Sequence, residues 1–483
     1  MLPTSLTTAV DEIFTRFREE RRLPGASWGV VFEGSLAHSG SAGMADLEAG
    51  RAAASSSVFR IASMSKSFTA ACVLLLRDEG ALSLEDRAER YVPELSGLRY
   101  PSSDSPPLTI RLLLSMSSGL VEDDPWADRQ LDLPAGAFGE LLAGGIGFDL
   151  DPGTAFEYSN LGYAILGRIA SVAAGMPVQE LARRRLFEPL GMSSTTWDAD
   201  RVAPDVVAIG YRSEHGSFVA EPSLADGAFG PMGGIASSVE DLARWVGLHL
   251  SAWPPRDGPE TGPLRRASLR EMAQAASLRR LPGLLGALPA GAPPDAETDA
   301  DPALDCYGFG LATFVERDGA RSVGHSGGLP GFGSHMHWLP AHGLGVVGLA
   351  NRTYAPMRLA VCEALRLLRD SGSAPPRRSE LSAGLAQARD VVTRCYESGE
   401  PELAAGDVLA SYVLDRDDNR RPPDFARLRA EHGACLEVEQ IQPTGRLRGS
   451  WRMHCERATL EVTVMLGPTL PHQIQFLVVR PVT

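Results

Sequence analysis

The chain has 483 residues, of which 44% are hydrophobic and 22% charged, a composition typical of a globular protein with enough length for two domains. Its formal net charge of −14 argues against a nucleic-acid-binding surface and against docking on anionic membranes. No uninterrupted apolar stretch reaches the length of a transmembrane helix, so we expect no membrane association.

The first predicted elements are a helix and a hairpin. Residues 7–22 mix charged and apolar side chains in an amphipathic pattern, without the basic segment and apolar run of a signal peptide, and we therefore expect a cytoplasmic protein. The apolar runs 26–32 and 35–38 flank Glu33-Gly34. They predict two antiparallel strands joined by a turn that contains glycine.

The next predicted element is an almost wholly apolar helix that begins near Ser63 and ends at Gly80. A helix that is apolar on nearly every side is buried in the centre of a domain. Ser63 would then lie at the helix N-terminus, where the dipole and the free N–H groups favour negative charge.

Lys66, three residues after Ser63, is the only lysine among 46 lysines and arginines. Because arginine does not release its proton in a protein, a lone lysine indicates a position that needs an amine able to become neutral. In a helix, this spacing places Ser63 and Lys66 on one face, where a desolvated lysine beside a serine forms a nucleophile and its base. The alternative is that this motif has no function, because the Ser-x-x-Lys spacing also arises by chance and a codon bias against lysine could by itself leave a single one in the chain.

Residues 82–250 are predicted to be mostly helical, with breaks at proline and glycine. The Pro/Gly/Ala-rich stretch 253–302 predicts either a mobile flap over the site or a disordered connection. Strand-like runs at 308–315, 322–325, 334–338 and 344–350 predict an antiparallel meander, and a helix follows at 357–369.

A linker at 371–378 precedes a predicted small C-terminal α+β domain over residues 380–483. Its helix-then-sheet order is similar to a cystatin-like cone, whereas a lipocalin-like barrel fits the leading helix poorly. The sequence does not choose among three roles for this domain, which are capping of the site, homodimerisation and partner binding.

Two further motifs accompany Ser63 and Lys66. The first contains Tyr158-Ser159-Asn160 and the second is His325-Ser326-Gly327-Gly328. Over residues 10–370 these motifs, in this order, resemble the serine β-lactamase and penicillin-binding-protein superfamily. The similarity is greatest to the branch of class C β-lactamases, D-amino-acid peptidases and amidases, and carboxylesterases (peptidase S12-like). The resemblance implies an α+β fold over residues 1–372, with an antiparallel sheet flanked by helices and a helical subdomain.

The resemblance also implies a role for each catalytic residue. Ser63 would attack a carbonyl carbon and become acylated, and Lys66 would take the serine proton. Tyr158 would protonate the leaving group and later activate water. A phenol with a solution pKa of about 10 would need positive neighbours to serve at neutral pH.

The binding positions follow from the same motifs. Asn160 would hold Lys66 and bind a substrate amide, and the N–H of Gly328 would join that of Ser63 in an oxyanion hole. Ser326 and Gly327 are further substrate-binding candidates, although the two glycines equally fit a plain turn.

His325 departs from class C β-lactamases, which commonly have lysine there, and matches the peptidase and esterase relatives. A histidine is only partly charged near neutral pH, which disfavours efficient β-lactam hydrolysis. We therefore predict a serine hydrolase of small esters or amides, including peptides with D-residues. A β-lactamase, or an acyltransferase or peptide cyclase of the same fold, is the alternative. A non-catalytic binding protein fits least, since it has little need for Ser63, Lys66 and Tyr158 together.

His335 and His337 lie two apart on a predicted strand and therefore point the same way, as a metal-binding pair would. The sequence offers them no matching third ligand, so we expect neither a metal nor a cofactor. The six cysteines lack C-x-x-C spacing and predict free thiols, although Cys435 and Cys455 could face each other across a sheet.

Overall fold

The computed structural model describes residues 2–124, 126–199, 202–280, 304–317, 319–377, 380–399, 403–404, 406–409 and 423–482. The chain forms two compact units. The first comprises Met1–Trp253 and Gly258–Pro376, and the second comprises Pro254–Asp257 and Arg377–Thr483. The stretch 253–302, predicted to be a flap or a disordered connection, contains a helix (Arg266–Met272) and a strand (Ser277–Arg280) in its first part. From residue 281 onward, it lies outside the described residues.

The described strands of the first unit are β1 (Gly25–Phe32), β2 (Ser35–Asp46), β3 (Arg51–Ala52), β4 (Phe59–Arg60), β5 (Tyr211–Glu214), β6 (Ser217–Ala220), β7 (Ala236–Ser237), β8 (Ser277–Arg280), β9 (Leu304–Tyr307), β10 (Ala312–Val315), β11 (Arg321–Leu329), β12 (Phe332–Leu339) and β13 (Leu344–Ala350). Within the described residues, nine of them form one antiparallel sheet in the order β3-β2-β1-β13-β12-β11-β10-β9-β8. Two small antiparallel pairs, β4 with β7 and β5 with β6, lie outside it.

The described helices of the first unit are α1 (Thr4–Glu20), α2 (Ser65–Asp78), α3 (Ile110–Leu114), α4 (Ala135–Ala143), α5 (Asn160–Ala174), α6 (Val178–Ala182), α7 (Glu188–Leu190), α8 (Gly230–Gly233), α9 (Val239–Ser251), α10 (Arg266–Met272) and α11 (Arg358–Asp370). Short 3₁₀ turns occur at Ala62–Met64, Ala88–Arg90, Pro93–Gly97, Ala127–Arg129 and Pro340–His342, and a π-helical turn at Arg183–Phe187.

Helices cover both faces of the central sheet. Successive residues of β1 point to opposite faces, and accordingly Val30 lies in a core shared with α1 and α11, whereas Val31 lies in the larger core shared with α2, α5 and α9. Burial on both faces explains why β1 is apolar along almost its whole length, with Ser27 as its one polar side chain. The predicted α+β architecture of a sheet flanked by helices is confirmed.

Helix α2 occupies the centre of the larger core. All its residues from Ser65 to Leu76 are buried, as the all-round apolar pattern predicts. The helix ends at Asp78, and Gly80 follows with a positive φ of 78°. The site residues at its N-terminus are therefore carried by one of the most enclosed elements of the fold.

The prediction of a strand over 308–315 was wrong in its first half. Strand β9 ends at Tyr307, and the chain turns before β10 begins at Ala312. Gly310, with φ of 69°, approaches α2 so closely that a Cβ would lie 2.5 Å from the carbonyl oxygen of Lys66. Close approach to a helix backbone, rather than strand pairing, explains this glycine. The segment 82–250 is likewise less helical than predicted, since it includes the β5–β6 hairpin.

The second unit contains α12 (Ala383–Ser398), α13 (Phe425–His432), β14 (Cys435–Val438), β15 (Gln442–Gly445), β16 (Arg448–Cys455), β17 (Thr459–Leu466) and β18 (Ile474–Pro481). The described strands form an antiparallel sheet in the order β14-β16-β17-β18, with β15 also paired to β16. Residues of β17 alternate between buried and half-buried, so one face of the sheet carries the core. The helix-then-sheet order agrees with the predicted α+β domain, whereas the cystatin-like assignment stays a prediction.

Cys435 and Cys455 are register partners on β14 and β16, and both are thiols. Among the described residues, no single helix is long and apolar enough to cross a membrane. Asn160–Ala174 and Val178–Leu190 pass that criterion only together, as a pair bent by 74°.

Candidate active site

Ser63 and Lys66 meet across one helical turn at the N-terminal end of α2. Lys66 Nζ lies 3.0 Å from Ser63 Oγ. Ser63 is 8% exposed, whereas Lys66 is completely buried. The preceding residue, Ala62, has a positive φ of 50°, a conformation that costs a non-glycine residue about 1–3 kcal/mol. This strained turn joins β4 to α2 and presents the serine at the helix end.

The hydrogen-bond partners of Lys66 suit both of its protonation states. Besides Ser63, Nζ contacts Asn160 Oδ1 at 2.6 Å and the carbonyl oxygen of Met232 at 2.8 Å. A neutral amine has two N–H groups and one lone pair. An ammonium instead has three N–H groups and donates to all three oxygens, including Ser63 Oγ. On loss of a proton, the two carbonyl oxygens, which can only accept, keep the two remaining N–H groups, and the lone pair then faces the Ser63 hydroxyl.

Burial lowers the pKa of Lys66 to about 8, since a charged amine loses its hydration there. The carboxylates of Asp124, Asp128 and Asp123 oppose this shift, because each stabilises the ammonium form. The amine is therefore partly neutral close to pH 7, which arginine could not be.

Tyr158 lies beside both groups and remains a protonated phenol at neutral pH. Its ring centroid is 4.9 Å from Lys66 Nζ, and its hydroxyl is close enough to Ser63 for the serine to influence the pKa of the phenol. Burial, together with the negative charge of Asp124, raises the pKa of Tyr158 well above its usual value. The positive charge of Arg279 opposes this shift but is outweighed, so the phenol does not become acidic at neutral pH. The hydroxyl can donate or relay a proton, but it is not a phenolate.

Asn160, the first residue of α5, is oriented by hydrogen bonds at both ends of its amide. Its Oδ1 accepts from Lys66, and its Nδ2 donates to the carboxylate of Asp124. Asp123 accepts from the backbone N–H groups of Asn160 and Leu161, both at 2.7 Å, and so fixes the start of the helix. One of the two amide hydrogens predicted to meet a substrate is thus engaged by Asp124.

His325 is a neutral imidazole that faces Tyr307. Its Nε2 is 3.0 Å from the Tyr307 hydroxyl, and its Nδ1 is 2.6 Å from the carbonyl oxygen of Ser326. A carbonyl can only accept, so Nδ1 carries the hydrogen and Nε2 accepts from the phenol. Burial, assisted by the charge of Lys66, lowers the pKa of His325 to about 3. The ring thus carries no charge near pH 7, rather than the partial charge expected from an isolated histidine.

Gly327 and Gly328 lie within strand β11, and the plain-turn interpretation was wrong. A Cβ on Gly327 would lie 2.2 Å from the carbonyl oxygen of Ile61, while one on Gly328 would lie 2.7 Å from the ring of Tyr354. Strand β10 pairs with β11 only as far as Gly324. From there to Leu329, this edge of β11 has no strand partner among the described residues, and it runs past the Ser63 turn.

Ser326 is the predicted binding residue that the structure does not bring to Lys66. Alternate residues of a strand point to opposite faces, and the Ser326 hydroxyl instead lies 2.8 Å from His335 Nδ1. The hydroxyl is therefore on the face of the sheet away from His325.

We expect Gly327→Ala to lower the free energy of unfolding by about 1–3 kcal/mol and to reduce activity, because the added methyl group pushes β11 away from the Ser63 turn. Thermal unfolding and the hydrolysis rate measure the two effects. Gly136→Ala in α4 is the matched control, since a Cβ there meets nothing within 4 Å. Equal stability and activity of the two variants would contradict the close approach.

Sequence reasoning missed the acidic side chains around Lys66. Asp128 is buried, accepts a hydrogen bond of 2.6 Å from the Tyr354 hydroxyl, and has a pKa raised by burial to about 6. Asp123 and Asp124 belong to an acidic run that lies between the first two motifs. That run was the available signal, but an acidic run in a loop usually indicates a solvated surface.

Comparison with known proteins decides the family. A family model described as Beta-lactamase matches residues 10–370. The chain belongs to the β-lactamase family. Within the family, it is 30% identical over 345 residues to penicillin-binding protein 4 of Amycolatopsis lactamdurans, covering 70% of this chain and 84% of that protein. It is 26% identical over 349 residues to protein flp of Staphylococcus aureus strain MW2, covering 71% of this chain and 62% of that protein.

A solved structure shares the fold along nearly the whole chain. The octameric penicillin-binding protein homologue from Pyrococcus abyssi superposes with a TM-score of 0.63 at 20% identity, over 98% of this chain and 99% of that chain. This β-lactamase family member thus has the fold of a penicillin-binding protein homologue, which agrees with the resemblance noted in its three motifs.

Proposed function

We propose that the chain is a serine hydrolase that forms an acyl-enzyme at Ser63 and hydrolyses small esters or amides, including peptides with D-residues. One observation carries the proposal: the only lysine of the chain is buried, with its Nζ 3.0 Å from Ser63 Oγ. Membership of the β-lactamase family supports a hydrolase.

Acylation begins when Ser63 Oγ attacks the carbonyl carbon and its proton moves to neutral Lys66 Nζ. The leaving alcohol or amine takes a proton from the Tyr158 hydroxyl, which regains one from the Lys66 ammonium. A water molecule then attacks the acyl carbon and gives up a proton through the same two groups, and Ser63 leaves with its hydroxyl restored. No step requires a phenolate, which agrees with the raised pKa of Tyr158.

The negative charge that develops on the carbonyl oxygen needs preorganised donors. The backbone N–H groups of Ser63, at the start of α2, and of Gly328, on the unpaired edge of β11, are the proposed oxyanion hole. The same strand edge can accept the extended backbone of a peptide substrate.

The charge around Lys66 favours neutral or amine-bearing substrates. Asp123, Asp124 and Asp128 all act electrostatically on Lys66, and His325 adds no positive charge at neutral pH. A substrate carboxylate, as found on penicillins, would be repelled by these acids. Esters and D-amino-acid amides with a free amine fit this environment better.

The position of Arg279 supports the alternative function, a β-lactamase. Its guanidinium lies 5.4 Å from the ring centroid of Phe156, two residues before Tyr158, and is close enough to influence the pKa of Tyr158. It also pairs with Asp305 at 3.3 Å. Exchange of that partner for a substrate carboxylate would allow penicillin binding.

Intact-protein mass spectrometry tests the proposal. Wild type, Ser63→Ala and the exposed control Ser56→Ala are incubated with nitrophenyl esters, D- and L-amino-acid amides, and a penicillin, and released product is followed in parallel. We expect an adduct that depends on Ser63 and turns over on esters or D-amides but persists on penicillin. Sustained penicillin turnover would favour the β-lactamase, and acyl transfer to an added amine would favour the acyltransferase. The absence of both adduct and product would contradict the hydrolase.

We expect the acylation rate to rise about tenfold between pH 7 and pH 9, because only neutral Lys66 can accept the serine proton and its pKa is about 8. Asp124→Asn removes a charge that stabilises the ammonium, so the pKa of Lys66 falls and the midpoint of the pH–rate profile shifts to lower pH. Asp104→Asn, at an exposed acid, is the control. A profile that is unchanged by Asp124→Asn would contradict the assignment of the midpoint to Lys66.

The oligomeric state of this chain is also a proposal. The Pyrococcus abyssi homologue is described as octameric. We propose that this chain self-associates as well, with a homodimer as the smallest assembly, which multi-angle light scattering would measure.

A further inference from the structure

A second cluster of reactive side chains lies between the sheet and α11. His335 and His337 project from β12 toward Cys362 on α11. His335 Nε2 is 3.1 Å from His337 Nδ1, and Cys362 Sγ is 3.4 Å from the same Nδ1. All three ligand atoms lie within 4.8 Å of one another. The two histidines are buried and Cys362 is half-buried. The structure thus supplies the third ligand that the histidine pair lacks in the sequence.

These spacings are close to those of a tetrahedral zinc site. Zinc binds histidine nitrogen at about 2.0–2.1 Å and cysteine sulfur at about 2.3 Å, so two ligand atoms on one ion lie about 3.3–3.6 Å apart. The two contacts through His337 Nδ1 fall near this range. Only the separation of His335 Nε2 from Cys362 Sγ would have to close, by at most about 1.2 Å.

We propose that His335 Nε2, His337 Nδ1 and Cys362 Sγ bind one zinc ion, with a water molecule as the fourth ligand. A cavity of about 60 Å³ adjoins the cluster and is lined by His337, Cys362 and Glu316, among others. That volume accommodates a water molecule. Three protein ligands and an open fourth position are typical of a zinc site that exchanges its water.

Ser326 provides the outer support that metal-binding histidines usually have. Its hydroxyl lies 2.8 Å from His335 Nδ1. When Nδ1 carries the hydrogen and donates it to Ser326, Nε2 is left with a lone pair directed at the cluster. Ser326 follows His325 in the third motif, so the zinc site would adjoin the active-site strand from its other face.

The imidazoles are neutral, but the fixed charges nearest the cluster are mixed, with Arg358 and Arg366 positive and Glu316 negative. Burial, with the charge of Arg358 acting in the same direction, lowers the pKa of His337 to about 3 and that of His335 well below its usual value. A bound ion would therefore depend on the geometry of its three ligands and on the thiolate charge of Cys362. Burial raises the pKa of the Cys362 thiol, whereas Arg358 and Arg366 favour its thiolate and Glu316 opposes it. Zinc binding would displace one proton from the thiol, which leaves one thiolate–zinc bond and one released proton.

Cobalt substitution tests the site in the tag-free full chain after dialysis against a chelator. Cobalt(II) should saturate at one equivalent, with a thiolate-to-cobalt absorption band in the near ultraviolet that zinc then removes. We expect Cys362→Ser to lose the band and Ser326→Ala to weaken binding about 10–100-fold. Cys395→Ser removes a buried thiol of the other unit and should leave the titration unchanged.

Alkylation provides a second measurement that needs no variant. Zinc should slow the labelling of Cys362 by iodoacetamide, read by peptide mass spectrometry, while labelling of Cys435 continues as before. Wild-type protein without a thiolate band at one equivalent of cobalt would overturn the proposal. Equal labelling of Cys362 with and without zinc would overturn it as well.

Discussion

Replacing Lys66 by arginine is expected to slow acylation of Ser63 by about 10²–10⁴-fold while the protein remains folded. Arginine keeps its positive charge at every usable pH and cannot take the serine proton. The pocket supports this reasoning, because Asn160 Oδ1 and the Met232 carbonyl oxygen occupy the two N–H groups of a neutral amine at this position. Stopped-flow acylation by a nitrophenyl ester measures the loss directly.

Because Lys66 is completely buried, the larger arginine could strain the core. Lys66→Met therefore serves as a matched variant, since it removes the amine with a side chain of similar volume. Both variants should lose acylation, and circular dichroism and thermal unfolding should show that Lys66→Met is folded. An arginine variant that is folded and still active would contradict the assignment of Lys66 as the general base.

Tyr158→Phe is expected to slow both acylation and deacylation, each by about 10²-fold or more, while substrate affinity changes little. The change removes only the hydroxyl that lies near Ser63 and keeps the ring that lies 4.9 Å from Lys66 Nζ. Both steps need a proton delivered or removed at the serine oxygen. Single-turnover measurement of acyl-enzyme formation and decay separates the two rates.

Tyr163→Phe is the matched control for this experiment. Tyr163 is also buried, and its ring centroid is 5.8 Å from Lys66 Nζ, but its hydroxyl donates to the carbonyl oxygen of Leu114. Loss of that bond should cost about 1 kcal/mol of stability and leave the chemical steps nearly unchanged. If Tyr158→Phe alters only the KM, Tyr158 is a substrate contact and not a proton donor.

The neutrality of His325 distinguishes this site from one built to hold an anion. Burial against Tyr307 suppresses the charge that an exposed histidine would carry near pH 6–7. Together with the acids around Lys66, this makes the cleft acidic, in keeping with the proposed preference for esters and amine-bearing amides.

The sequence by itself determined the features that depend on neighbouring residues. A three-residue spacing in a helix brings two side chains together, so Ser63 and Lys66 could be paired from the chain alone. Periodicity likewise predicted α2 as a buried helix and β11 to β13 as a meander, because helices and strands repeat at fixed short intervals. The three motifs, taken in order, identified the family.

Only the tertiary structure decided which distant groups share a site. It placed Asp124 against Asn160, turned Ser326 toward His335, and brought Cys362 to the histidine pair. It also showed that another backbone segment lies very close to Gly310, which the sequence had placed inside a strand, and to Gly327, which the sequence had allowed in a turn. These contacts join residues far apart in the chain, and the pKa of Lys66 depends on burial and on charges from another loop. Local sequence patterns do not predict such packing, because it depends on how whole helices and strands pack against one another.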